Sequence, residues 1–452
     1  MIKKIVFLCS LSLLAACGGG GSEGGNAIGP GSSSSSAPSV GKFIYIPNVL
    51  TNSITAYSIN AATGALTAIS GAPFMTGAAN GLVSLSAHPS GSFVYASNFG
   101  TNAVATSVSV FAVNTTTGAL SLTSGSPYPV GVPVSAIPLD VADIPILHPD
   151  GKFLYVRKNS ESQIFGYAVN QTSGVLTPLA SSPLPFTQIP GKFNSTNKLY
   201  YAPLVTPSDA VGVYAIDSVT GVGNSFGSSV APQPVGIPVF DAASKFLFSA
   251  SPARFILGYS LNPATGLLTA LPGSPYAWPP GQSTPPFPLL AQPLVHPSGK
   301  FLYVLDPNVN TTLTPLGASN ITIYSIDQTT GALSAVGSPV STGGNYAQYM
   351  QIYKNGQFLL VTNKKSASVA IFGIDLTTGA LTPAAGSPFS TPGTSPGSVV
   401  IDPSGKFAYL ADTLSNTITE FTIDATNGTI TVGPNYPTGS NPSTLPLIVG
   451  LQ

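Results

Sequence analysis

The sequence predicts an all-β chain closed into a ring of four-stranded antiparallel blades, a β-propeller, and three observations carry that expectation. A glycine preceded four residues earlier by Asn or Asp recurs eight times: Asn60/Gly64, Asn114/Gly118, Asn170/Gly174, Asp217/Gly221, Asn262/Gly266, Asp327/Gly331, Asp375/Gly379 and Asp424/Gly428. Most copies also carry an aromatic strand of the type Gly299-Lys300-Phe301-Leu302-Tyr303, and a period of roughly 45 to 65 residues suits propeller blades, not helical solenoids. Finally, mean hydropathy is +0.33 with 7% charged residues, 48 Gly and 43 Pro. Strands buried on both faces lose their polar half and reconcile those values, while Gly and Pro supply the turns.

Each element of a blade has its own sequence cause. In one clear copy, Lys300 to Leu305 reads as one strand, Ile321 to Ile326 as the next and Ala332 to Val336 as the third. Asp327 is placed to accept backbone N–H groups in an Asx-turn, and Gly331 supplies the positive φ that returns the chain as a hairpin. A further strand, such as Ser398 to Asp402, turns through Pro403-Ser404-Gly405 into the next aromatic strand. At Gly41 the repeat begins with the second strand of a blade, so the first blade lacks its innermost strand; Ser443 to Gly450 sits where that strand is needed and is expected to close the ring. The unit near Pro190 is the most eroded. With Phe193 to Thr196 taken as its short inner strand there are eight blades, and with that segment taken as a loop there are seven; the Asp217/Gly221 hairpin favours eight.

Residues before Gly41 belong to no blade. Lys3 and Lys4 precede an apolar stretch from Ile5 to Ala16, too short for the roughly 20 residues that span a bilayer, and read as a processing signal. Leu14-Ala15-Ala16-Cys17 resembles a bacterial lipoprotein lipobox, which implies cleavage before Cys17 and lipid on its sulfur, a multi-chain membrane anchor. On that analogy Gly18 favours the outer membrane, on its periplasmic or surface face. The expected division is a signal at 1–16, a lipidated, Gly/Ser-rich tether at 17–40 and a single propeller domain at 41–452. Such a tether holds the domain roughly 25 to 30 Å from its anchor. Cys9 leaves with the signal and Cys17 is consumed by lipid, so disulfides, thiolate metal sites and cysteine nucleophiles are not expected. Formal net charge is zero, there is no basic stripe for phosphates, and nucleic acid is not an expected partner; no cofactor or metal is expected either.

The repeat GKFLYVxN…ITxYxIDxxTGALTxxxGSPF resembles the bacterial β-propeller lactonase family, which includes one type of 6-phosphogluconolactonase, and the related YVTN-repeat proteins. The resemblance covers essentially residues 41 to 450, with Tyr-Val-Thr-Asn approximated at Leu360-Val361-Thr362-Asn363 and Tyr45-Ile46-Pro47-Asn48. It implies His, Arg and Glu near the central channel, in Pro-Arg-His, Asn-Glu and Asn-Arg-x-His segments, usually on seven blades. Here Ser395-Pro396-Gly397-Ser398 holds Gly-Ser in place of Arg-His, and Asn441-Pro442-Ser443-Thr444 also lacks the pair. Asn98-Phe99, Asp306-Pro307, Asn363-Lys364 and Asp412-Thr413 stand where Asn-Glu is expected. Only in Arg157-Lys158-Asn159-Ser160-Glu161 do Arg and Glu come close.

The three histidines, His88, His148 and His296, share one repeat position that Asp402 and Tyr353 fill elsewhere, which reads as turn capping. Long connections at Val130 to Ala142, Ala277 to Leu290 and Asn308 to Ser319 share one face by propeller geometry, so variable chemistry is expected there. On that face Trp278 and Tyr276 are candidate ligand contacts, Trp278 otherwise covering a neighbouring blade. Asp140 and Asp143 are candidates to face the channel, and Arg157 and Arg254 to pair with a carboxylate or meet an anion. Asp306 to Asn310 has the oxygen spacing of a calcium loop without its glycine and closing acid. The sequence taken alone favours a membrane-anchored binding or scaffold module for a protein, peptide or glycan. Its alternative is a lactonase-type hydrolase with Arg157 holding a carboxylate or oxyanion and Glu161 activating water.

Overall fold

The computed structural model describes residues 41–451 other than 80, 102, 133–144, 159–162, 181, 185–190, 195–198, 204–209, 231–235, 237, 252–253, 263–264, 279–291, 311, 354–355, 425 and 443–445. Among the described residues there are strands and turns and no helix. Eight antiparallel sheets follow one another along the chain. The inner strands of blades 1 to 8 are Leu447–Leu451, Leu82–Ala87, Ile146–Leu147, Lys192–Phe193, Pro238–Phe240, Gln292–Val295, Ala347–Tyr353 and Pro396–Ile401. Beside them lie the second strands Gly41–Asn48, Phe93–Asn98, Phe153–Lys158, Leu199–Pro203, Phe246–Ser251, Phe301–Asp306, Phe358–Asn363 and Phe407–Asp412. The eroded unit is therefore a blade, and the C-terminal segment pairs with the first strand, Phe43 opposite Val449 and Tyr45 opposite Leu447.

Two side chains of the repeat explain why one blade docks on the next. At every hairpin glycine an added Cβ would lie 2.3 to 2.6 Å from the preceding blade, against Phe43 for Gly118, Phe93 for Gly174, Leu199 for Gly266 and Phe407 for Gly64. The glycine is thus required twice, for φ of +68° to +78° and for this close approach. Two residues after the aromatic, a tyrosine hydroxyl donates to the same glycine's carbonyl: Tyr45 to Gly118 at 2.7 Å, Tyr155 to Gly221 at 2.9 Å, Tyr303 to Gly379 at 3.0 Å. Tyr409 does so to Gly64 at 2.7 Å, joining blade 8 to blade 1. The apolar core accordingly lies between blades, as where Phe301, Leu305 and Ile323 of blade 6 meet Leu359, Val361 and Ala370 of blade 7.

Four strands per blade is the expected count, and five blades carry a short fifth: Phe74–Met75, Tyr128–Val130, Tyr276–Ala277, Val340–Asn345 and Phe389–Ser390 pair with the third strands. In three of them the Gly-Ser-Pro serine makes the exchange possible. Where the fourth strand stops, its hydroxyl accepts the exposed third-strand N–H, Ser126 from Val110 at 2.8 Å, Ser274 from Gly258 at 3.0 Å and Ser387 from Ile371 at 2.9 Å.

The histidines cap turns and also reach the next blade. Ser90 N donates to His88 Nδ1 at 3.1 Å, so the proton sits on Nε2, which contacts Gly151 O at 3.2 Å. His296 repeats this with Ser298 and Gly356. These turns and the hairpins occupy one face; the second-to-third-strand and blade-to-blade connections occupy the other.

Candidate functional site

On the long-connection face, the last residue of the second strand, the ring residue, is a buried polar group in seven of the eight blades. Asn48, Asn98, Lys158, Ser251, Asn363 and Asp412 are fully buried, and Asp306 nearly so. Burial of amides is tolerable only with partners. Asn98 donates to Ser109 at 2.9 Å, and Ser109 to the connection at Thr76 O. Asn363 accepts from Thr342, and Asn48 from the Gly439 amide. Connection glycines fit tightly here: a Cβ on Gly344, Gly393 or Gly439 would lie 2.6, 2.1 or 2.6 Å from Asn363, Asp412 or Asn48. In blades 1, 2 and 7 the Asn at the end of the second strand thus fastens a blade-to-blade connection.

Where three of the blade-to-blade connections lead toward the inner strand, one residue turns left-handed and is tied down. Tyr346, Ser395 and Asn441 have φ of 55°, 60° and 53°, and their carbonyls accept from the N–H after the ring residue: Lys364 at 2.9 Å, Thr413 at 3.2 Å and Val49 at 3.0 Å. In blades 2, 7 and 8 a bulge follows at once, between Leu82 and Ser84, Ala347 and Tyr349, and Pro396 and Val399. An extra residue at a channel mouth re-aims a side chain. By register, Pro396 opposite Asp412 corresponds to Ala347 opposite Asn363, so Gln348 occupies the place of Gly397, the first of the two residues where the lactonase pattern carries Arg-His.

Gln348 is the polar residue that sequence reasoning missed. It is 3% exposed, yet neither Oε1 nor Nε2 has a partner, although its backbone O accepts Gln292 Nε2 at 2.7 Å. The Tyr346 hydroxyl, on a ring packed with Val309 and Leu313, is likewise buried and unpaired. Lys364 follows directly after ring residue Asn363 and makes no ion pair among the described residues. It retains some exposure, but its ammonium sits deep among protein atoms; desolvation, with the Lys365 charge adding, pushes its pKa down to about 8. A strained bulky residue, an unpaired buried amide and a lysine of depressed pKa fall within one bulge and its tether.

The other sequence candidates are dispersed. Arg157, half-buried on blade 3, precedes ring residue Lys158, whose Nζ donates to Val132 O. Glu161, Asp140 and Asp143 lie outside the described residues, as does Cys17. Tyr276 pairs with Ile256, and its hydroxyl donates to Pro272 O at 2.6 Å. Trp278 is 8% exposed, its ring packed with Phe248 and Ile256 of blade 5 and Leu302 and Val304 of blade 6; its indole N–H, which has no partner, is what remains for a ligand. Asp306 accepts the Asn308 N–H at 2.8 Å. Among the described residues no three His, Cys, Asp or Glu side chains cluster as metal ligands do.

A closed eight-bladed ring with one tight-turn face and one variable face defines the class of protein. A family model described as "Lactonase, 7-bladed beta-propeller" matches residues 33–133 and 259–395, just over half of the chain. The chain belongs to this family, with one blade more than that description states. A 6-phosphogluconolactonase of Formosa agariphila is 37% identical over 87 residues, which are 19% of this chain and 22% of that relative. Among solved structures, the periplasmic gluconolactonase of Pseudomonas aeruginosa superposes with a TM-score of 0.52 at 16% identity, over 91% of this chain and 99% of that one. A putative 6-phosphogluconolactonase from Bacteroides fragilis gives 0.52 at 18%, over 91% and 98%. At such identities the two structures speak to fold alone.

Proposed function

We propose that the protein hydrolyses a lactone at the long-connection mouth of the ring, beside the blade 7 bulge. The observation that carries this reading is the family match, whose second stretch contains Gln292, Tyr346, Gln348 and Lys364. The sequence alone ranked a binding module first because the family's Arg-His pair is missing; family membership moves the preference to hydrolysis. The chemistry asks for little. Water adds to the lactone carbonyl carbon while a base takes its proton, negative charge grows on the carbonyl oxygen, and the ring C–O bond breaks as the alkoxide recovers a proton. Lys364, with its pKa near 8, supplies a base that is substantially neutral at mildly alkaline pH and returns the proton to the leaving alkoxide. Gln348 Nε2, buried without an acceptor, supplies a donor for the oxyanion.

The test is a panel of δ- and γ-lactones assayed with the mature protein and with Lys364→Met, Gln348→Ala and Glu161→Gln, spontaneous hydrolysis subtracted. Hydrolysis with kcat/KM lowered about 10²-fold or more in Lys364→Met is expected. No turnover above the spontaneous rate overturns the reading, and a loss confined to Glu161→Gln moves the base to blade 3. We further propose that the domain is held at a bacterial outer membrane by lipid on Cys17, the support being the lipobox-like Leu14 to Cys17; Cys17→Ser is expected to release it from the membrane fraction.

A further inference from the structure

Arg254 and Trp278, joined through their backbones, each hold an unused hydrogen-bond donor. Phe255 pairs with Ala277 and Ile256 with Tyr276, so the next rung sets Arg254 against Trp278, and Trp278 N donates to Arg254 O at 3.1 Å. Among the described residues Arg254 makes no ion pair, and its Nη2 is buried without a partner. The indole Nε1–H is also buried without a partner, on a residue 92% enclosed by its 8% exposure. Arg254 adopts φ of 69°, a conformation that costs a bulky residue energy and is retained where a local constraint requires it. Leaving a buried guanidinium nitrogen and an indole N–H both unpaired carries a substantial cost.

We propose that Arg254 and Trp278 form a binding site for an organic carboxylate, at the seam of blades 5 and 6 on the long-connection face. Both groups only donate, so their ligand must accept. Guanidinium presents a planar fork that matches carboxylate geometry, and its single charge matches a monoanion better than a phosphate dianion. The site is separate from the blade 7 bulge and is read by binding, so it stands or falls independently of hydrolysis.

Trp278 is the only tryptophan of the chain, so its fluorescence reports on this site alone. The mature protein is titrated with gluconate and propionate, with propionamide as the neutral analogue and with inorganic phosphate. Arg254→Gln and Arg254→Lys are compared after their circular dichroism melts are shown to match wild type. The expected result is a saturable change with the carboxylates, absent with propionamide, and an apparent Kd raised about tenfold or more in Arg254→Gln. Lysine retains the charge but not the fork and is expected to restore only part of the affinity. Trp278→Phe keeps the ring and removes the N–H; by calorimetry it is expected to bind gluconate more weakly than wild type. No saturable response, an equal response to propionamide, tighter binding of phosphate, or unchanged affinity in Arg254→Gln each overturns the proposal.

Discussion

Replacing Asp412 by Asn is expected to stabilise the protein at neutral pH, which is unusual for a change at a fully buried residue. Three of the eight ring positions already hold Asn, at Asn48, Asn98 and Asn363. Asp412 instead buries a carboxyl group: Oδ2 accepts from Thr419 Oγ1 at 2.6 Å, and Oδ1 is buried with no hydrogen-bond partner among the described residues. Thr419 Oγ1 also lies 2.7 Å from Asn435 Oδ1, and one hydroxyl proton cannot serve two acceptors. Protonated Asp412 would donate to Thr419, which would donate to Asn435, and the chain would be complete. Burial raises its pKa from the ordinary 3.8 to about 6. The folded state therefore binds a proton that the unfolded state has released, so this group's contribution to stability is full below about pH 4 and is lost as pH rises to about 6. At roughly 1.4 kcal/mol per pH unit, about two units amount to about 3 kcal/mol. In Asp412→Asn, Nδ2 takes the donor role that Asn48 plays toward Thr55 at 2.9 Å. Denaturant unfolding of both proteins from pH 4 to pH 8 gives a difference curve in which other titrating groups largely cancel. The variant should gain up to about 3 kcal/mol above pH 6.5 and little at pH 4. A pH-independent difference, or a variant less stable at pH 8, refutes the reasoning.

The blade-to-blade contacts give three further tests. Gly428→Ala places a Cβ 2.4 Å from Phe358 at a φ of +74° and is expected to cost about 2 to 5 kcal/mol in denaturant unfolding. Tyr409→Phe removes the hydroxyl bond to Gly64 O that joins blade 8 to blade 1 and should cost about 1 kcal/mol by the same measurement. Deleting residues 441–452 removes the inner strand of blade 1, Leu447–Leu451, and with it cooperative thermal unfolding; a truncated protein that melts like the full chain would contradict ring closure by this strand.

The fold was legible in the sequence because its contacts are made by residues that each satisfy two demands at once. A hairpin glycine must accept positive φ and also admit the aromatic of the preceding blade, so it survives in all eight copies. The short fifth strands were not legible. Phe389–Ser390 is too brief to carry an alternation, and its cause is a serine hydroxyl that stands in for a ladder partner. Side chains that occur once leave no pattern. Gln348 becomes noticeable only when Asn345-Tyr346-Ala347-Gln348 is set against Thr394-Ser395-Pro396-Gly397, a correspondence fixed by the bulge and the left-handed residue before it. Trp278 reads in the sequence as a loop aromatic that covers a neighbouring blade, and its ring does pack between blades 5 and 6, but nothing in Tyr276-Ala277-Trp278-Pro279-Pro280 reveals that Tyr276–Ala277 continues the sheet.

Repetition and function are therefore written in different residues of the same positions. At the end of the second strand, Asn is the element that fastens a connection; Lys158, Asp306 and Asp412 replace it in three blades and bring charge to buried places where an amide would suffice. At the bulge, Gly397 fits with no side chain while Gln348 buries an unpaired amide. Each substitution costs stability relative to the repeat's own solution, since a buried charge or unpaired amide is harder to satisfy than the asparagine network beside it. A ring of eight equivalent blades can absorb such local losses because its stability is spread over every inter-blade seam. Departures from the repeat on the long-connection face are consequently where function should be sought, and blade 7, where Tyr346, Gln348 and Lys364 depart together at one bulge and its tether, is the first place to mutate.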